Sequence, residues 1–319
     1  MELVKRKDEF DIAKALGIFC VILGHMPSVV PESIRIWIYS FHMPLFYFIA
    51  GYFSKDIKDM SEIAVFIKGK WKVLMIPYVF YSSIFLMLDV ASSRVPIKQI
   101  VFEIKSILIG MQGAQWFLYG LFVVTILGAL SGVIKSKMLQ RGFIGVCVLI
   151  GCALNYGKVN NYFQIASSLY GVGFYYIGFC KKDILQYNLR KVIICFFISI
   201  IGGGLLSQCY SVNILDMKMN FQIDIILNYI VALSGVYVII CISYSFRNSV
   251  VSELLKHIGK NSLVYFALTW YIPGFLSTTI KNQSAVLKIV YYIVAFFVSW
   301  ICVKIVQSLK MYNKIYRCQ

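Results

Sequence analysis

The chain has 319 residues, of which 60% are hydrophobic and only 14% are charged, and its mean hydropathy is +0.77. Soluble domains carry about 25% charged residues, so this composition excludes an ordinary soluble protein and indicates a polytopic membrane protein. The formal net charge is +17, but the cations lie in small clusters between apolar segments. No basic run is interleaved with exposed aromatic residues, which argues against nucleic-acid binding.

Ten apolar segments follow one another along the chain. A helix needs ~20 mostly apolar residues to cross the ~30 Å hydrocarbon core of a bilayer, and only helices or closed barrels satisfy the backbone in lipid. Because the segments are too long for barrel strands, we predict an all-α, polytopic integral membrane protein with a single membrane-embedded domain over residues 1–319. The predicted spans are 10–28, 33–53, 72–91, 114–133, 141–156, 162–180, 191–209, 222–244, 261–280 and 285–307.

The distribution of Lys and Arg indicates the orientation of these spans. With the N-terminus inside, 22 of the 31 Lys and Arg lie on the inner side and 8 on the outer side, while Lys14 lies within the first span. This bias favours an even number of spans with both termini in the cytoplasm, so we predict a multi-pass protein of the plasma membrane. Lys5, Arg6 and Lys7 precede an apolar run, as in a signal peptide. Asp11 and Lys14 interrupt that run and no cleavage site follows, so we interpret it as a retained span.

The longest connections between the spans are residues 54–71 on the inner side and 92–113 on the outer side. The outer connection contains VFEIKSILIGMQG, for which we predict a short amphipathic or re-entrant helix. The cysteines lie almost entirely within apolar segments and form no CxxC pair, so we interpret them as packing residues. Of the three histidines, His257 falls in the inner connection before the ninth span, and metal sites need three or more ligands as a rule. We therefore expect no metal site.

The first span carries ionisable residues along one stripe. Asp11 and Lys14 are three residues apart and can pair on a helix. Lys14 and His25 are eleven residues apart, which returns to within about 20° of the same helix face and about 16 Å further along it. Ionisable groups inside a bilayer are candidates for function. The alternative is that Asp11 and Lys14 extend to the inner interface and His25 lies at the outer interface.

The second span carries His42 about nine residues from its outer end, at a depth of ~13 Å. This depth is comparable to that of His25, so two antiparallel neighbouring helices would bring the imidazoles close to each other. Pro44 frees backbone groups nearby, which favours a polar cavity. Imidazole is suited to proton transfer near neutral pH. A structural hydrogen bond between helices is the alternative role of His42.

Several motifs together resemble the acyltransferase 3 family of integral membrane acyltransferases, and in particular its branch of fucose 4-O-acetylases and related acetyltransferases. The resemblance begins with DIAKALGIFCVILGH and SFHMPLFYFIAGY in the first two spans. It continues from end to end of the chain with KGKWKVLMIPY at 68–78, QWFLYGLF at 115–122, YYIGF at 175–179 and HIGKNSLVYFAL at 257–268. The family independently implies about ten spans.

The resemblance implies roles for the residues of the first two spans. His25 matches the essential histidine, as a general base or a transient acyl carrier, and His42 matches the second histidine. Asp11 matches the acidic partner, and Lys14 matches a basic position at which many members have Arg. The donor implied is acetyl-CoA, or another acyl-CoA such as succinyl-CoA, which is a co-substrate rather than a tightly bound cofactor. The acceptor implied is a sugar hydroxyl of a bacterial cell-envelope polysaccharide or of its lipid-linked precursor.

The resemblance also implies roles further along the chain. Three lysines match a basic stretch that meets the phosphates of CoA, although the positive-inside rule alone also accounts for them. They are Lys68, Lys70 and Lys72. Three aromatic residues are expected to shape the substrate cavity, with packing as the alternative. They are Tyr78, Trp116 and Phe117.

One position departs from the family pattern. The segment after GKNSL commonly ends in a Leu-His pair in this family, whereas this chain has Leu268 and Thr269. If that histidine takes part in acceptor binding, the departure implies a different acceptor, a different efficiency or decayed activity. The function predicted is a membrane-bound O-acyltransferase with a histidine base. A transporter or flippase for a sugar or polysaccharide precursor is the alternative, because intramembrane histidines and ion pairs also suit proton-coupled transport. A receptor-like or structural membrane protein has no feature in its favour.

Overall fold

The structure is a computed structural model, and it describes residues 7–27, 29–111, 113, 115–180, 188–209, 225–280 and 284–308. Several cations used to orient the spans lie outside the described residues. They are Lys5, Arg6, Lys181, Lys182, Lys218, Lys281, Lys310, Lys314 and Arg317. The inner or outer position of the termini therefore stays a prediction.

The part of the chain that the structure describes is all-α and contains no strand, which confirms the predicted class. Thirteen α-helices occur in these residues, with a π-helical turn at Trp71–Met75 and short 3₁₀ turns at Ile97–Gln99 and Tyr162–Gln164. The helices are α1 Asp8–Gly24, α2 Glu32–Tyr52, α3 Met60–Lys70, α4 Ile76–Ala91, α5 Ile100–Leu108, α6 Trp116–Val133, α7 Lys137–Tyr156, α8 Ile165–Cys180, α9 Leu189–Cys209, α10 Ile225–Phe246, α11 Ser252–Lys260, α12 Ser262–Ile280 and α13 Ala285–Ser308.

Each predicted span coincides with a helix, but the helices differ in length and polarity. Six segments of the described chain are long and apolar enough to cross a membrane, so the protein is a multi-pass membrane protein. They are Met60–Ala91, Trp116–Val133, Lys137–Tyr156, Leu189–Gln208, Ile225–Phe246 and Ala285–Ser308. Helices α1, α2, α8 and α12 are not among the six, and α1 and α8 have only 17 and 16 residues. The count of about ten spans stays a prediction.

Two segments that connect predicted spans contain helices that were not predicted. Residues 60–70 form α3, which runs through the π-helical turn into α4 as one continuous helical segment of 32 residues. His257 lies on α11, a nine-residue helix whose apolar residues Leu255 and Ile258 are buried. The short helix predicted within 92–113 is present as α5.

The described chain divides into two compact units. The first comprises the residues up to Ser54 together with Phe174–Lys304, and the second comprises Lys55–Gly173 with the residues from Ile305. In the first unit, α1, α2 and α10 pack around one hydrophobic core, and α2 is joined to α9 by the indole Nε1 of Trp37, which donates to Ser199 Oγ at 2.9 Å. The core residues are Phe10, Ala13, Phe41, Leu45, Phe48, Ile49, Tyr52, Val236, Ile239 and Ile240.

The second unit is built from α3 to α7 and the beginning of α8. Ile57, Ile63 and Ala129 form a small core between α3, α6 and the segment before α3. Two side-chain hydrogen bonds to backbone carbonyls hold parts of this unit together. The amide of Gln164 donates to Gly110 O, in the connection after α5, at 2.7 Å, and Ser168 Oγ of α8 donates to Gly120 O of α6 at 3.2 Å. The buried amide of Gln164 and the buried hydroxyl of Ser168 are therefore hydrogen-bonded.

Candidate functional site

His25 lies at the C-terminal end of α1, where it is the residue that follows the last helical position. Its backbone N–H still donates to Val21 O and Ile22 O, at 3.2 and 3.0 Å, so the helix holds the residue firmly up to its end. The partly buried imidazole contacts two aromatic rings edge-on, with ring centroids 5.6 Å from Tyr39 on α2 and 4.6 Å from Trp270 on α12. The imidazole therefore lies where three helices of the first unit meet.

Tyr39 connects His25 to His42. The Tyr39 hydroxyl lies 3.0 Å from Nδ1 of His25, which is hydrogen-bonding distance. The same tyrosine ring packs edge-on against the imidazole of His42, with centroids 4.9 Å apart. Gly24 makes room for this ring, because a Cβ there would meet the Cε2 of Tyr39 at 3.0 Å. The two histidines thus share one aromatic neighbour, as the similar depths in the sequence suggested.

The protonation of His42 follows from its hydrogen bond. Nδ1 of His42 lies 2.9 Å from the backbone carbonyl oxygen of Ile38, one helical turn earlier. A carbonyl oxygen only accepts hydrogen bonds, so Nδ1 carries the proton and Nε2 of the neutral ring carries the lone pair. The side chain is only 4% exposed, and Nε2 makes no hydrogen bond with the described residues. His42 is therefore held as a base whose free nitrogen is Nε2.

Arg35 fastens the first turn of α2 to the end of α1. Its Nε donates to Gly24 O at 2.9 Å, next to His25. The last carbonyls of a helix lack intrahelical donors and carry partial negative charge, so a guanidinium is a favourable partner there. Arg35, Tyr39 and His42 are spaced i, i+4 and i+7, so they lie along one face of α2. That face is the one that meets the end of α1.

Asp11 and Lys14 form the predicted ion pair near the start of α1. Lys14 Nζ lies 2.9 Å from Asp11 Oδ1, and the carboxylate is nearly inaccessible to solvent. The fourteen residues between Asp11 and His25 correspond to ~21 Å along a helix. The structure therefore brings Asp11 and Lys14 to each other but not to the two histidines.

Helix α11 packs on the start of α1 beside this ion pair. A Cβ at Gly259 would overlap the backbone carbonyl oxygen of Asp11, so only glycine allows this approach. Lys256 bridges Asp8 on α1, at 3.1 Å, and Glu253 on its own helix, at 2.6 Å. These two carboxylates raise the pKa of Lys256 above its usual value.

His257 lies on α11 among cations. Burial lowers the pKa of its imidazole, and the charges of Lys304 and Lys260 lower that pKa further. Its Nε2 is buried and has no hydrogen-bond partner among the residues that the structure describes. His257 is thus neutral near physiological pH. It is not part of the cluster around His25.

The other predicted site residues lie in the second unit. Lys68 and Lys72 are exposed, and Lys70 extends over the ring of Phe66 with its Nζ 5.3 Å from the ring centroid. All three surround the start of the π-helical turn, a local irregularity that is frequent at functional sites.

The three aromatic residues predicted to line a cavity are buried in this same unit. Trp116 and Phe117 begin α6, and Tyr78 is fully buried, with its hydroxyl donating to Ile107 O at 2.6 Å. The hydroxyl of Tyr78 therefore ties α4 to α5.

Comparison with known protein families shows which family the chain belongs to. The sequence model of the acyltransferase 3 family, described as an acyltransferase domain, matches residues 7–304 and therefore almost the whole chain. The chain belongs to the acyltransferase 3 family. It is accordingly a membrane acyltransferase, and His25, Tyr39 and His42 all lie within the acyltransferase domain. No curated protein and no solved structure matches the chain significantly.

Three neighbours of His25 were not singled out from the sequence. Tyr39 and Arg35 could have been inferred from the sequence, because both lie on the same helix face as His42 at helical spacing. Trp270 could not have been inferred, since its contact with His25 depends on how α12 packs against α1. The residue before it is Thr269, at which the sequence departs from the family pattern. Thr269 is only 2% exposed, and its Oγ1 donates to Tyr265 O within α12.

Proposed function

We propose that this protein transfers an acetyl group from cytoplasmic acetyl-CoA to a sugar hydroxyl of a cell-envelope polysaccharide or its lipid-linked precursor. The supporting observation is the cluster in which the imidazoles of His25 and His42 both contact Tyr39, inside an acyltransferase domain. Each imidazole leaves Nε2 without a hydrogen bond to the described residues, so each has a nitrogen available for proton transfer. Acceptor hydroxyls need such a base, because they are weak nucleophiles at neutral pH.

In the proposed reaction His25 is the general base. Its Nε2 takes the proton of the acceptor hydroxyl while the hydroxyl oxygen attacks the thioester carbonyl carbon of acetyl-CoA. The resulting C–O bond forms the ester, and the C–S bond breaks. The CoA thiolate then receives the proton from the imidazolium, which returns His25 to its neutral form. No external base, acid or oxidant is needed.

His42 has a second role in this proposal. Its Nδ1–H is committed to the carbonyl of Ile38, so its Nε2 is a constant acceptor next to the reacting groups. Such an acceptor can orient the hydroxyl of the incoming sugar toward the thioester, and correct orientation of reacting groups supplies a large share of enzymatic rate enhancement. The buried position of His42 keeps this interaction away from bulk water, which strengthens it.

The donor is proposed to reach His25 from the cytoplasm. In this scheme the pantetheine arm extends along the stripe of α1 that carries Lys14 and His25. Asp11 does not act at the reacting atoms in this scheme, since it lies ~21 Å from His25 along the helix. Its carboxylate instead holds the ammonium of Lys14 in place.

Transfer of labelled acetyl groups tests the proposal. Membranes that contain the protein are incubated with radiolabelled acetyl-CoA, and the label on glycan or lipid-linked sugar is measured. His25→Ala should lower the transfer rate by about 10²- to 10⁴-fold, the usual contribution of a general base. His257→Gln is the matched control, because it replaces the only other histidine of the chain besides His42 and lies apart from the cluster.

Two results would contradict the proposal. Full transfer by the His25→Ala variant, inserted at the level of the wild type, would remove His25 as the base. Absence of transfer by the wild type, together with unmodified precursor accumulating on one side of the membrane in a deletion strain, would favour a transporter.

A further inference from the structure

We propose that Tyr39 is a positioning residue that holds His25 in the tautomer whose Nε2 carries the lone pair. The choice of tautomer rests on the proposed function, in which Nε2 of His25 takes a proton, and the tautomer can be measured separately from the reaction. The inference starts from the 3.0 Å separation between the Tyr39 hydroxyl and Nδ1 of His25.

The contact by itself is compatible with two arrangements. A tyrosine hydroxyl can donate or accept, and a neutral imidazole has one protonated and one unprotonated nitrogen. If the hydroxyl donates to Nδ1, the proton of the ring lies on Nε2. If Nδ1–H donates to the hydroxyl oxygen, Nε2 is unprotonated. The proposed proton transfer distinguishes between these two arrangements.

Nε2 is the nitrogen of His25 that can meet a substrate. Nδ1 is occupied by Tyr39, whereas Nε2 makes no hydrogen bond with any described residue. A ring with its proton on Nε2 would have its lone pair directed at Tyr39 and could not take a proton from an acceptor hydroxyl. Only the arrangement in which Nδ1–H donates to Tyr39 gives a competent base.

The same arrangement also fits the protonated ring. After Nε2 takes a proton, both nitrogens of the imidazolium are donors, and Nδ1–H still donates to the Tyr39 oxygen without any rearrangement. In the other arrangement the hydroxyl would have to rotate, because it would face a second donor. A hydrogen bond that serves the ring both before and after proton transfer is preorganised, and preorganised partners lower the barrier.

His42 provides a reference within the same protein. Its tautomer is fixed by the carbonyl of Ile38, which accepts regardless of what Tyr39 does. Replacing Tyr39 by phenylalanine keeps the edge-on ring contacts with both imidazoles and removes only the hydroxyl. The tautomer of His25 should therefore depend on this hydroxyl, and that of His42 should not.

Nitrogen NMR of the full-length protein tests the tautomers directly. The chain contains only three histidines, so ¹⁵N-imidazole labelling in detergent gives few signals, which single His→Gln variants assign. At mildly alkaline pH we expect both His25 and His42 of the wild type to have a protonated Nδ1 and an unprotonated Nε2. In Tyr39→Phe, His25 should become a mixture of tautomers while His42 is unchanged. A wild-type His25 with its proton on Nε2, or a His25 whose tautomer is the same in both proteins, would overturn the proposal.

The rate provides a second, separate readout. Loss of a hydrogen bond to a group that becomes charged should lower kcat of Tyr39→Phe by about 10- to 100-fold. KM for acetyl-CoA should be unchanged, because in this proposal the hydroxyl acts on His25 and not on the donor. In a His25→Ala background the same substitution should have no further effect, since the two residues act as one unit. An equal loss in both backgrounds would show a merely structural role and overturn the proposal.

Tyr175→Phe is the matched control for this kinetic measurement. Tyr175 is a buried tyrosine of the same unit whose hydroxyl donates to Ser54 Oγ at 2.5 Å, so its loss also removes one buried hydroxyl. We expect this variant to keep its kcat. If the wild type transfers no acetyl group at all, the proposed function fails, while the NMR result still decides the tautomer.

Discussion

Replacing Gly259 by alanine should separate α11 from the start of α1. The new Cβ would overlap the backbone carbonyl oxygen of Asp11, and a backbone atom cannot rotate away as a flexible side chain can. Overpacking of this kind costs about 1–3 kcal/mol. Because the substitution lies beside the Asp11–Lys14 ion pair, it should also weaken donor binding and raise KM for acetyl-CoA.

Gly204→Ala on α9 is the matched control for this substitution. It lies in a helix of the same unit, and nothing is within 4 Å of the Cβ that it would acquire. Alanine gains about 1 kcal/mol over glycine from helix propensity at such an open position. Because this gain applies to both substitutions, we expect Gly259→Ala to be less stable than Gly204→Ala by the overpacking cost of about 1–3 kcal/mol.

Thermal unfolding in detergent, followed by tryptophan fluorescence, measures this difference for the two purified variants. The wild type should lie between them. Gly259→Ala with a midpoint equal to that of Gly204→Ala would refute the close contact between α11 and α1. A lower midpoint with an unchanged KM would retain the contact but separate it from donor binding.

Three further outcomes are expected. Arg35→Met should cost about 1.5–3 kcal/mol, because it removes a charged donor from Gly24 O; Arg35→Lys should recover only part of this in the same unfolding assay, and equal midpoints for all three proteins would contradict it. Thr269→His, which restores the family pattern, should destabilise by about 1–3 kcal/mol because Thr269 is only 2% exposed; a more active variant of normal stability would show that the site has room for the ring. Burial and nearby cations lower the pKa of His257 below its value of about 6.5 in the unfolded chain. Above about pH 6.5 the residue is neutral in both states and does not affect the free energy of unfolding. Below the folded pKa its protonation destabilises the folded state fully. Stability should therefore fall as the pH decreases from about 6.5, and His257→Gln should flatten that part of the stability curve; an identical curve in both proteins would refute the assignment.

The helices and their family motifs could be recognised from local features of the chain. Each predicted apolar segment of spanning length coincides with a helix, whereas α3 and α11 were not predicted, and the Asp11–Lys14 spacing of three residues predicted the observed ion pair. The continuous helix Met60–Ala91 was only partly predicted, because Lys68, Lys70 and Lys72 interrupt its hydrophobicity without interrupting its backbone. Charge patterns mark membrane boundaries, and helix ends depend on hydrogen bonds.

The residues that pack against α1 come from different parts of the chain. Tyr39 could have been inferred, since it shares a helix face with His42. Trp270 and Gly259 could not, because neither has a local sequence pattern that relates it to α1. Their contacts depend on the packing of α12 and α11, which lie more than 200 residues away in sequence.

The sequence by itself determined the class of protein, the family and the two histidines of the first two spans. These properties depend on composition, on motifs and on the helical repeat, all of which are local. Only the tertiary structure decided that Tyr39 joins the two imidazoles and that Trp270 lies against His25. It also determined the hydrogen-bond partner of each imidazole. The physical reason is that the hydrogen-bond partner of one imidazole nitrogen determines which nitrogen is left for a substrate. For His25 that partner is the Tyr39 hydroxyl, which belongs to another helix.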